Sequence, residues 1–321
     1  MRKFFNVSDI GDLGKALAEA REVKANRFAW KSLGENKTIM LVFFNSSLRT
    51  RLSSQKAALN LGMNPIVLNI GQDSWKLETA LGVVMDGDKS EHLREAIPVI
   101  ASYCDIIGVR SFAGLVDREY DYAETVLQQF IDYSGKPVIS LESATVHPCQ
   151  AFADLITIDE YKRTARPKVV LTWAPHPRAL PQAVPNSFAE WMNAADVDFV
   201  ITHPEGYELD PRFTAGARIE YDQMKALEGA DFVYAKNWSC PGVKSPADYG
   251  KILSKDMSWT VDEAHMAVTN NAFFMHCLPV RRNMIVSDAV IDAPTSLVIP
   301  EAANREISAQ VVMKRILEEE C

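Results

Sequence analysis

The stretch TIMLVFFNSSLRTR, Thr38–Arg51, indicates an α/β fold because it runs from a strand directly into the start of a helix. Its first six residues, Thr38–Phe43, are almost entirely apolar, as in a strand buried on both faces. Ser47 then precedes a helical pattern over Arg49–Leu61. A buried strand followed at once by a helix is the repeating unit of a parallel α/β sheet.

The same alternation continues along most of the 321 residues. It predicts two doubly wound parallel-sheet α/β domains joined by helices, in agreement with about 150 residues per domain. The predicted strands are Thr38–Phe43, Pro65–Asn69, Asp105–Val109, Pro137–Ser140, Lys168–Thr172, Asp198–Thr202, Arg218–Tyr221, Asp231–Ala235 and Ala272–Met275. The predicted helices are Arg49–Leu61, Glu91–Tyr103, Asp121–Tyr133, Gln150–Arg163 and Glu301–Glu319.

The chain is predicted to divide just before the long helix Gln150–Arg163. The expected domains are residues 1–146 and 147–300, followed by a C-terminal helix at 301–321. The segment Ala174–Pro185 holds four of the sixteen prolines. It is therefore too stiff for a flexible linker and too long for a simple turn. We expect a shaped loop after a strand, where α/β proteins usually bind ligands.

Composition excludes several classes of protein. The net charge of -8 gives no global basic surface for nucleic acid. No apolar run resembles a signal peptide or a membrane span, so we expect a cytoplasmic protein without a membrane partner. The five cysteines are odd in number and lack C-x-x-C spacing. That pattern favours a reduced chain over a disulfide framework or a zinc site.

The sharpest local signal is an anion site at the helix start in FFNSSLRTR. Ser47, Arg49, Thr50 and Arg51 place hydroxyl, guanidinium and backbone N–H groups together there. Arginine forks suit a phosphate group. The alternative is a serine cap followed by solvated arginines. Since neither a Walker A sequence nor G-x-G-x-x-G is present, a nucleotide is not the obvious anion.

Two further segments follow predicted strands. HPCQAFADL, His147–Leu155, places His147 and Gln150 on a first helical turn, where they are suited to bind a carbonyl oxygen and an amide nitrogen; a plain helix cap is the alternative. HCLPVRRN, His276–Asn283, ends a strand with backbone carbonyls suited to accept from an amine. The alternatives there are a buried structural cysteine or a metal ligand, and ligand spacing argues against metal.

Together these segments resemble the aspartate/ornithine transcarbamylase (carbamoyltransferase) family. Its F-x-x-x-S-x-R-T-R motif is matched at Phe43–Arg51, H-P-x-Q at His147–Gln150, H-C-L-P at His276–Pro279, and an arginine after a strand by Arg110. The motifs stand in family order, and the resemblance covers essentially the whole chain. It implies an enzyme that uses carbamoyl phosphate and needs no metal or redox cofactor.

The resemblance also implies a site. The first domain binds carbamoyl phosphate, and the C-terminal helix packs back on it. Phosphate contacts are expected from Ser47, Leu48 (through its backbone), Arg49, Thr50 and Trp75. The carbonyl oxygen is expected to meet Arg110 and His147, and the NH2 group to meet Gln150 and the Cys277–Leu278 backbone. Pro148, Cys149 and Arg305 complete this set, in which Arg110, His147, Gln150 and Cys277 are the catalytic residues.

Family differences point to the acylornithine branch. The S-M-G loop of ornithine enzymes is absent, and YAKNW, Tyr234–Trp238, stands at the comparable place. The implied contacts to an N-acylornithine are Glu142, His176, Lys236 and Arg281. The likeness is closest to members that carbamoylate N-succinylornithine, in arginine biosynthesis, with the N-acetylornithine members as near relatives. A non-enzymatic alternative is a sensor that binds carbamoyl phosphate or an acylornithine without turnover.

One position in the branch is associated with the acyl group, and here it is Ser90. The resemblance implies proline there in succinyl enzymes and glutamate in acetyl enzymes, so serine matches neither. Since serine does not repel a succinyl carboxylate, we expect the succinyl substrate. Alternatively, Ser90 caps the helix predicted from Glu91. The branch also implies a homotrimer with shared active sites, Trp75 reaching a neighbour, and a trefoil knot through the proline-rich loop.

Overall fold

The computed structural model describes residues 1–320, without the side chain of Glu320. The chain separates into two compact units. The first comprises Met1–Ala113, Glu119–Cys149 and the chain from Arg305 on, and the second comprises Gly114–Arg118 and Gln150–Asn304. The predicted functional domains, 1–146, 147–300 and 301–321, stay a prediction. No helix within residues 1–320 combines the length and apolarity needed to cross a bilayer.

The first unit is built on a five-stranded parallel sheet with the strand order β1-β7-β6-β2-β3. Its central strands are buried on both faces, which explains their continuous apolar runs. The strands are β1 Lys3–Phe4, β2 Thr38–Phe43, β3 Asn64–Asn69, the small parallel pair β4 Leu77–Glu78 and β5 Glu91–His92, β6 Ile106–Arg110 and β7 Val138–Glu142. The helices up to the second unit are α1 Val7–Ile10, α2 Leu13–Ala25, α3 Arg49–Asn60, α4 Leu93–Ser102, α5 Arg118–Tyr122 and α6 Thr125–Ser134.

The second unit has its own five-stranded parallel sheet with the order β10-β9-β8-β11-β12. Its strands are β8 Lys168–Trp173, β9 Asp198–Thr202, β10 Arg218–Glu220, β11 Phe232–Lys236 and β12 Phe273–Met275. The remaining helices are α7 Pro148–Tyr161, α8 Ala183–Ala194, α9 Pro211–Thr214, α10 Gln223–Leu227, α11 Glu263–Ala267, α12 Asp288–Ile291 and α13 Val298–Glu320. Short 3-10 turns lie at Lys31–Gly34, Pro246–Asp248 and Met257–Trp259. Two parallel sheets with crossover helices confirm the predicted fold class.

One helix prediction was wrong. The expected helix Asp121–Tyr133 is two helices, because Glu124 adopts a left-handed backbone with φ 53°. This conformation costs an ordinary residue roughly 1–2 kcal/mol. The side chain of Glu124 accepts hydrogen bonds from the turn that follows β7, which offsets that cost. Local propensity favoured one helix, and long-range hydrogen bonds divide it.

The proline-rich segment forms a shaped loop, as expected, although its last three residues already belong to α8. Leu180 O accepts from both the backbone N–H and the hydroxyl of Ser239, at 2.9 and 2.8 Å. Ala174 O accepts from Asn237 Nδ2 at 2.6 Å. The loop is thus fixed against the chain that leaves β11. The predicted knot stays a prediction.

Candidate active site

The anion motif lies where β2 runs into α3. Thr50 N donates to Ser47 Oγ over 3.2 Å, so the serine hydroxyl does cap the first turn. Leu48 is 68% exposed and Arg51 is exposed, whereas Arg49 is half-buried and Thr50 is buried. The interpretation as solvated arginines therefore holds for Arg51 only. The positive end of a twelve-residue helix dipole adds to the attraction for an anion.

Two arginines from distant parts of the chain meet on the hydroxyl of Thr50. Arg305 Nη2 donates to Thr50 Oγ1 at 2.6 Å, and Arg110 Nη1 donates to the same oxygen at 3.3 Å. Both arginines are at least 93% buried. With two donors on its oxygen, the hydroxyl can offer a ligand only its hydrogen. A hydroxyl group that can only donate suits a phosphate oxygen, because that oxygen accepts hydrogen bonds.

A β-bulge brings Glu142 opposite Arg110. The register between β6 and β7 shifts after Val109, so that Arg110 pairs with Glu142 and skips Leu141. Arg110 Nη1 then donates to Glu142 Oε2 at 2.5 Å. Bulges often re-aim side chains beside functional sites. Glu142, expected at the acylornithine, thus lies beside the residues expected at carbamoyl phosphate.

His147 lies within the same cluster and is buried. Arg305 Nη2 is 3.2 Å from His147 Nε2. Because arginine only donates, Nε2 accepts and the ring proton is on Nδ1. Burial lowers the pKa of His147 well below its ordinary value, and the charges of Arg305, Arg110 and Arg49 lower it further. The imidazole is therefore neutral at pH 7 and has one N–H to donate.

Glu124 organises the turn before His147, and sequence reasoning missed it. Glu124 Oε1 accepts from Ser143 Oγ at 2.7 Å and from Thr145 N at 2.7 Å, and Oε2 accepts from Ala144 N at 3.3 Å. Burial raises the pKa of Glu124, and these hydrogen bonds counteract the rise. Only its position in the fold identifies it, since Glu124 stands in an ordinary helical pattern.

Pro148 and Cys149 are the first two residues of α7. Pro148 is the first helical residue, where its missing N–H costs nothing. Cys149 O accepts from Ser308 Oγ at 2.6 Å. Burial raises the pKa of the Cys149 thiol to about 12, so it is not a thiolate at neutral pH.

Trp75 and Ser90 lie next to the small strands β4 and β5 of the first unit. Trp75 is 58% exposed, and its Nε1 donates to Glu91 Oε2 at 2.8 Å. Ser90 is exposed, and its backbone N donates to Lys76 O at 3.2 Å. The prediction that Ser90 caps a helix was wrong, because α4 begins at Leu93. The cap is His92 instead, since its side chain accepts from Arg94 N.

In the second unit, Gln150 lies on the first turns of α7 inside a buried polar network. Its Nε2 donates to Asp154 Oδ1 at 2.7 Å and to Glu301 Oε1 at 3.2 Å. Glu301 Oε2 accepts in turn from His276 N at 2.9 Å. The network joins the H-P-x-Q helix to the H-C-L-P segment. Sequence reasoning gave no role to Asp154 or to Glu301.

The H-C-L-P segment leaves β12 with a non-helical backbone, as predicted. Leu278 has φ 53°, and the Leu278–Pro279 peptide is cis. Leu278 N donates to His276 Nδ1 at 2.8 Å, which fixes the turn. Cys277 is buried and forms no disulfide. The turn therefore holds the backbone of Cys277 and Leu278, which the family resemblance assigned to the NH2 group, in one fixed conformation.

A cationic group forms around His176 in the second unit. Arg281 Nε donates to His176 Nε2 at 3.2 Å, and His176 Nδ1 lies 2.9 Å from Arg178 O and 3.1 Å from Arg178 N. Burial lowers the pKa of His176, and the charges of Lys236, Arg281 and Arg178 contribute. Lys236 is itself buried, with Nζ 3.0 Å from Asn237 O. The arrangement suits a ligand with a carboxylate.

The structure therefore brings the predicted residues together in two sets. The first unit holds the set expected at the phosphate and carbonyl groups, together with Glu142. The second unit holds Gln150, the H-C-L-P backbone and the set expected at the acylornithine. Trp75 and Ser90 lie on an exposed segment of the first unit.

Comparison with solved structures gives the same architecture. A variant of N-acetyl-L-ornithine transcarbamylase in which serine replaces a glutamate, complexed with carbamyl phosphate and N-succinyl-L-norvaline, has a TM-score of 0.89. It is 38% identical and covers 98% of this chain and 99% of its own. An acetylornithine transcarbamylase complexed with acetylcitrulline also has a TM-score of 0.89, at 36% identity.

Sequence comparison identifies the family. N-succinylornithine carbamoyltransferase of Bacteroides thetaiotaomicron is 71% identical over 318 residues, 99% of each chain. N-acetylornithine carbamoyltransferase of Xylella fastidiosa is 39% identical over 323 residues, 95% of each. Residues 2–160 match the model of the carbamoyl-P binding domain, and residues 181–316 match that of the Asp/Orn binding domain. The chain belongs to the aspartate/ornithine carbamoyltransferase family.

Proposed function

We propose that the chain transfers the carbamoyl group of carbamoyl phosphate to the side-chain amine of N2-succinyl-L-ornithine, giving N-succinyl-L-citrulline and phosphate in arginine biosynthesis. The observation that carries the proposal is the buried cluster in which Arg110 and Arg305 converge on Thr50 beside a neutral His147. A relative that is 71% identical and named for this substrate supports it.

The phosphate group is assigned to the start of α3. The side chains of Ser47, Arg49 and Thr50 and the backbone of Leu48 supply donors, and Arg305 adds charge from α13. Arg49, Arg110 and Arg305 bring three positive charges to the surroundings of His147, and Glu142 pairs with Arg110. This local cluster of positive charge suits an anionic ligand in a chain whose net charge is -8.

The carbonyl oxygen is assigned to Arg110 and His147. Both are positioned before the reaction, Arg110 by Glu142 and His147 by Arg305. Preorganised donors aimed at developing negative charge each contribute about 3 kcal/mol in the transition state. Gln150 and the backbone of Cys277 and Leu278 are assigned to the carbamoyl NH2 group.

The second substrate is assigned to His176, Lys236 and Arg281. A carboxylate of the acylornithine would meet two cations and a neutral imidazole there. Its reacting amine has an unperturbed pKa of roughly 10.4 and must lose a proton to attack. The departing phosphate is the acceptor in this proposal, so the protein supplies positioning and electrostatics.

Ser90 supports the succinyl substrate over the acetyl one. The side chain is exposed and uncharged, so it places no negative charge against a succinyl carboxylate. A relative that is named N-acetyl-L-ornithine transcarbamylase was solved with an N-succinyl ligand after serine replaced one of its glutamates. Alanine, proline and valine variants at the same glutamate were solved with the same ligand, so the loss of the glutamate accompanies the succinyl ligand.

A direct assay tests the proposed reaction. The protein is mixed with carbamoyl phosphate and N-succinyl-L-ornithine, and both phosphate release and the ureido product are followed. Stoichiometric formation of the two products is expected. Binding of both ligands without either product would favour a sensor, and phosphate release without ureido product would show hydrolysis alone.

Arg49→Ala should weaken carbamoyl phosphate binding about 30- to 150-fold, as for the loss of one charge-assisted contact of 2–3 kcal/mol. Isothermal titration calorimetry measures the change. Arg94→Ala serves as control, because Arg94 is an exposed arginine at the start of another helix, α4. If the native protein and Arg49→Ala bind carbamoyl phosphate equally well, the assignment of the phosphate group to the start of α3 is wrong.

Assembly into a trimer with shared sites is also part of the proposal, with Trp75 serving a neighbour. Trp75→Ala and His147→Ala should each be inactive alone. When the two are dissociated and reassembled together, about a quarter of native activity should return, since one site in four then combines an intact residue from each chain. Mixed trimers without activity would contradict shared sites.

A further inference from the structure

The buried network around Gln150 contains two carboxyl groups for which the reaction has no direct use. Asp154 follows Gln150 by one turn of α7, and Glu301 lies near the start of α13. Gln150, Asp154 and Glu301 are each no more than 1% exposed. Two acidic side chains that deep inside a unit are uncommon unless they hold something in place.

Both carboxyl groups accept from the same nitrogen, Nε2 of Gln150, so they lie next to one another. In a dry interior, adjacent carboxylates do not both ionise, so the pair holds one proton. Burial raises the pKa of Glu301 well above its ordinary value, and the charge of Asp154 raises it further. The pair therefore shares one proton and carries a single negative charge at neutral pH.

This pair determines which way the amide of Gln150 faces. Nε2 has two hydrogens, and the acceptors for them are Asp154 Oδ1 and Glu301 Oε1. A flipped amide would place its oxygen against these two oxygens and lose both hydrogen bonds. Gln150 Oε1 is buried and has no hydrogen-bond partner among residues 1–320. It therefore needs a donor, and an NH2 group is one.

We infer that Asp154 and Glu301 are positioning residues that hold the nitrogen of the Gln150 amide and thereby present its oxygen to the carbamoyl NH2 group. The inference rests on the proposed function, because it takes the carbamoyl group as the donor. Glu301 also positions a second group. Its Oε2 accepts from His276 N at 2.9 Å, so the same carboxyl also sets the backbone that continues into Cys277 and Leu278.

Glu301→Gln isolates this role. The oxygen of the new amide can still accept from His276 N. The NH2 group of the new side chain then faces Nε2 of Gln150, so Nε2 loses one of its two hydrogen-bond acceptors. The Kd for carbamoyl phosphate should rise about 10- to 100-fold, as for one or two lost hydrogen bonds. The Kd for inorganic phosphate should not change, because phosphate has no NH2 group. Calorimetry with the two ligands gives both values.

Asp231→Asn is the matched control. Asp231 is another buried carboxylate of the second unit, where it accepts from Lys168 N and Asn270 Nδ2 at 2.9 and 2.8 Å. The Asp231→Asn variant should bind both ligands with the affinities of the native protein. Thermal melting, followed by circular dichroism, shows whether each variant is folded. Should Glu301→Gln not fold, Asp154→Leu removes the other acceptor and should show the same selective loss.

Infrared spectroscopy tests the shared proton without any ligand. The native-minus-Glu301→Gln difference spectrum should contain the C=O band of one protonated carboxyl group. Native affinity for carbamoyl phosphate in a folded Glu301→Gln, an equal loss for both ligands, or no such band would overturn the inference. If the native protein binds carbamoyl phosphate but forms no product, the proposed function fails, while these affinities still decide the inference.

Discussion

Arg110→Met should lower kcat about 100- to 1,000-fold, the range measured when one preorganised donor to a developing oxyanion is removed. Arg110 is buried, is fixed by Glu142 at 2.5 Å and reaches Thr50, so water cannot readily replace it. Steady-state kinetics at saturating substrates, together with a thermal melt, measure the effect.

The double variant Arg110→Met/Glu142→Gln is the control for a purely structural loss. Arg110→Met leaves Glu142 as an uncompensated buried charge, which costs about 3–5 kcal/mol of folding stability. Replacing Glu142 with glutamine removes that charge and should restore much of the stability. Activity should stay low, because the guanidinium is still missing. Native kcat in the double variant would show that Arg110 only balances Glu142.

Ser90→Glu should reverse the preference between N-succinyl- and N-acetyl-L-ornithine. The succinyl tail ends in a carboxylate and the acetyl group in a methyl. A glutamate near that carboxylate is repelled by several kcal/mol at an effective dielectric constant of about 20, enough to change the ratio of kcat/KM by orders of magnitude. The kcat/KM values of both substrates in both proteins measure the reversal.

Ser90→Gln separates charge from size in this experiment. Glutamine has nearly the shape of glutamate but no charge, so it should retain more of the succinyl preference than glutamate does. If kcat/KM for the succinyl substrate falls equally in both variants, the effect comes from the size of the new side chain and not from its charge. An unchanged preference in Ser90→Glu would remove residue 90 from the acyl subsite.

The alternation of buried strands and helices was sufficient to predict both sheets. Thr38–Phe43 and Asp198–Thr202 have the bounds that were predicted, because strands buried on both faces have an unbroken apolar signal. Two-residue strands such as β1 and β4 have no such signal, and they were not predicted. The division at Glu124 was missed because its cause lies about twenty residues away, in Ser143–Thr145.

The site residues that stand together in one motif could be predicted from the sequence. Residues that come together from distant parts of the chain were harder to predict. Ser47–Arg51 shows its anion chemistry directly in the sequence. Arg305 reaches Thr50 across 255 residues, and only family likeness assigned Arg305 to the carbamoyl phosphate set. Asp154 lies within the segment His147–Leu155 and Glu301 lies in the C-terminal helix, but both contact Gln150 through long-range or buried hydrogen bonds, so sequence reasoning assigned no role to either residue. Glu142 was assigned to the second substrate by family likeness, and its pairing with Arg110, which depends on a bulge, was not predicted.

The most direct test of the proposed function is a comparison of kcat/KM for N-succinyl-, N-acetyl- and free L-ornithine with the native protein at saturating carbamoyl phosphate. We predict the highest value for the succinyl substrate, a lower one for the acetyl substrate and the lowest for free ornithine. A higher value for N-acetyl-L-ornithine or for free ornithine would contradict the proposed substrate, and no ureido product from any of the three would contradict carbamoyl transfer itself.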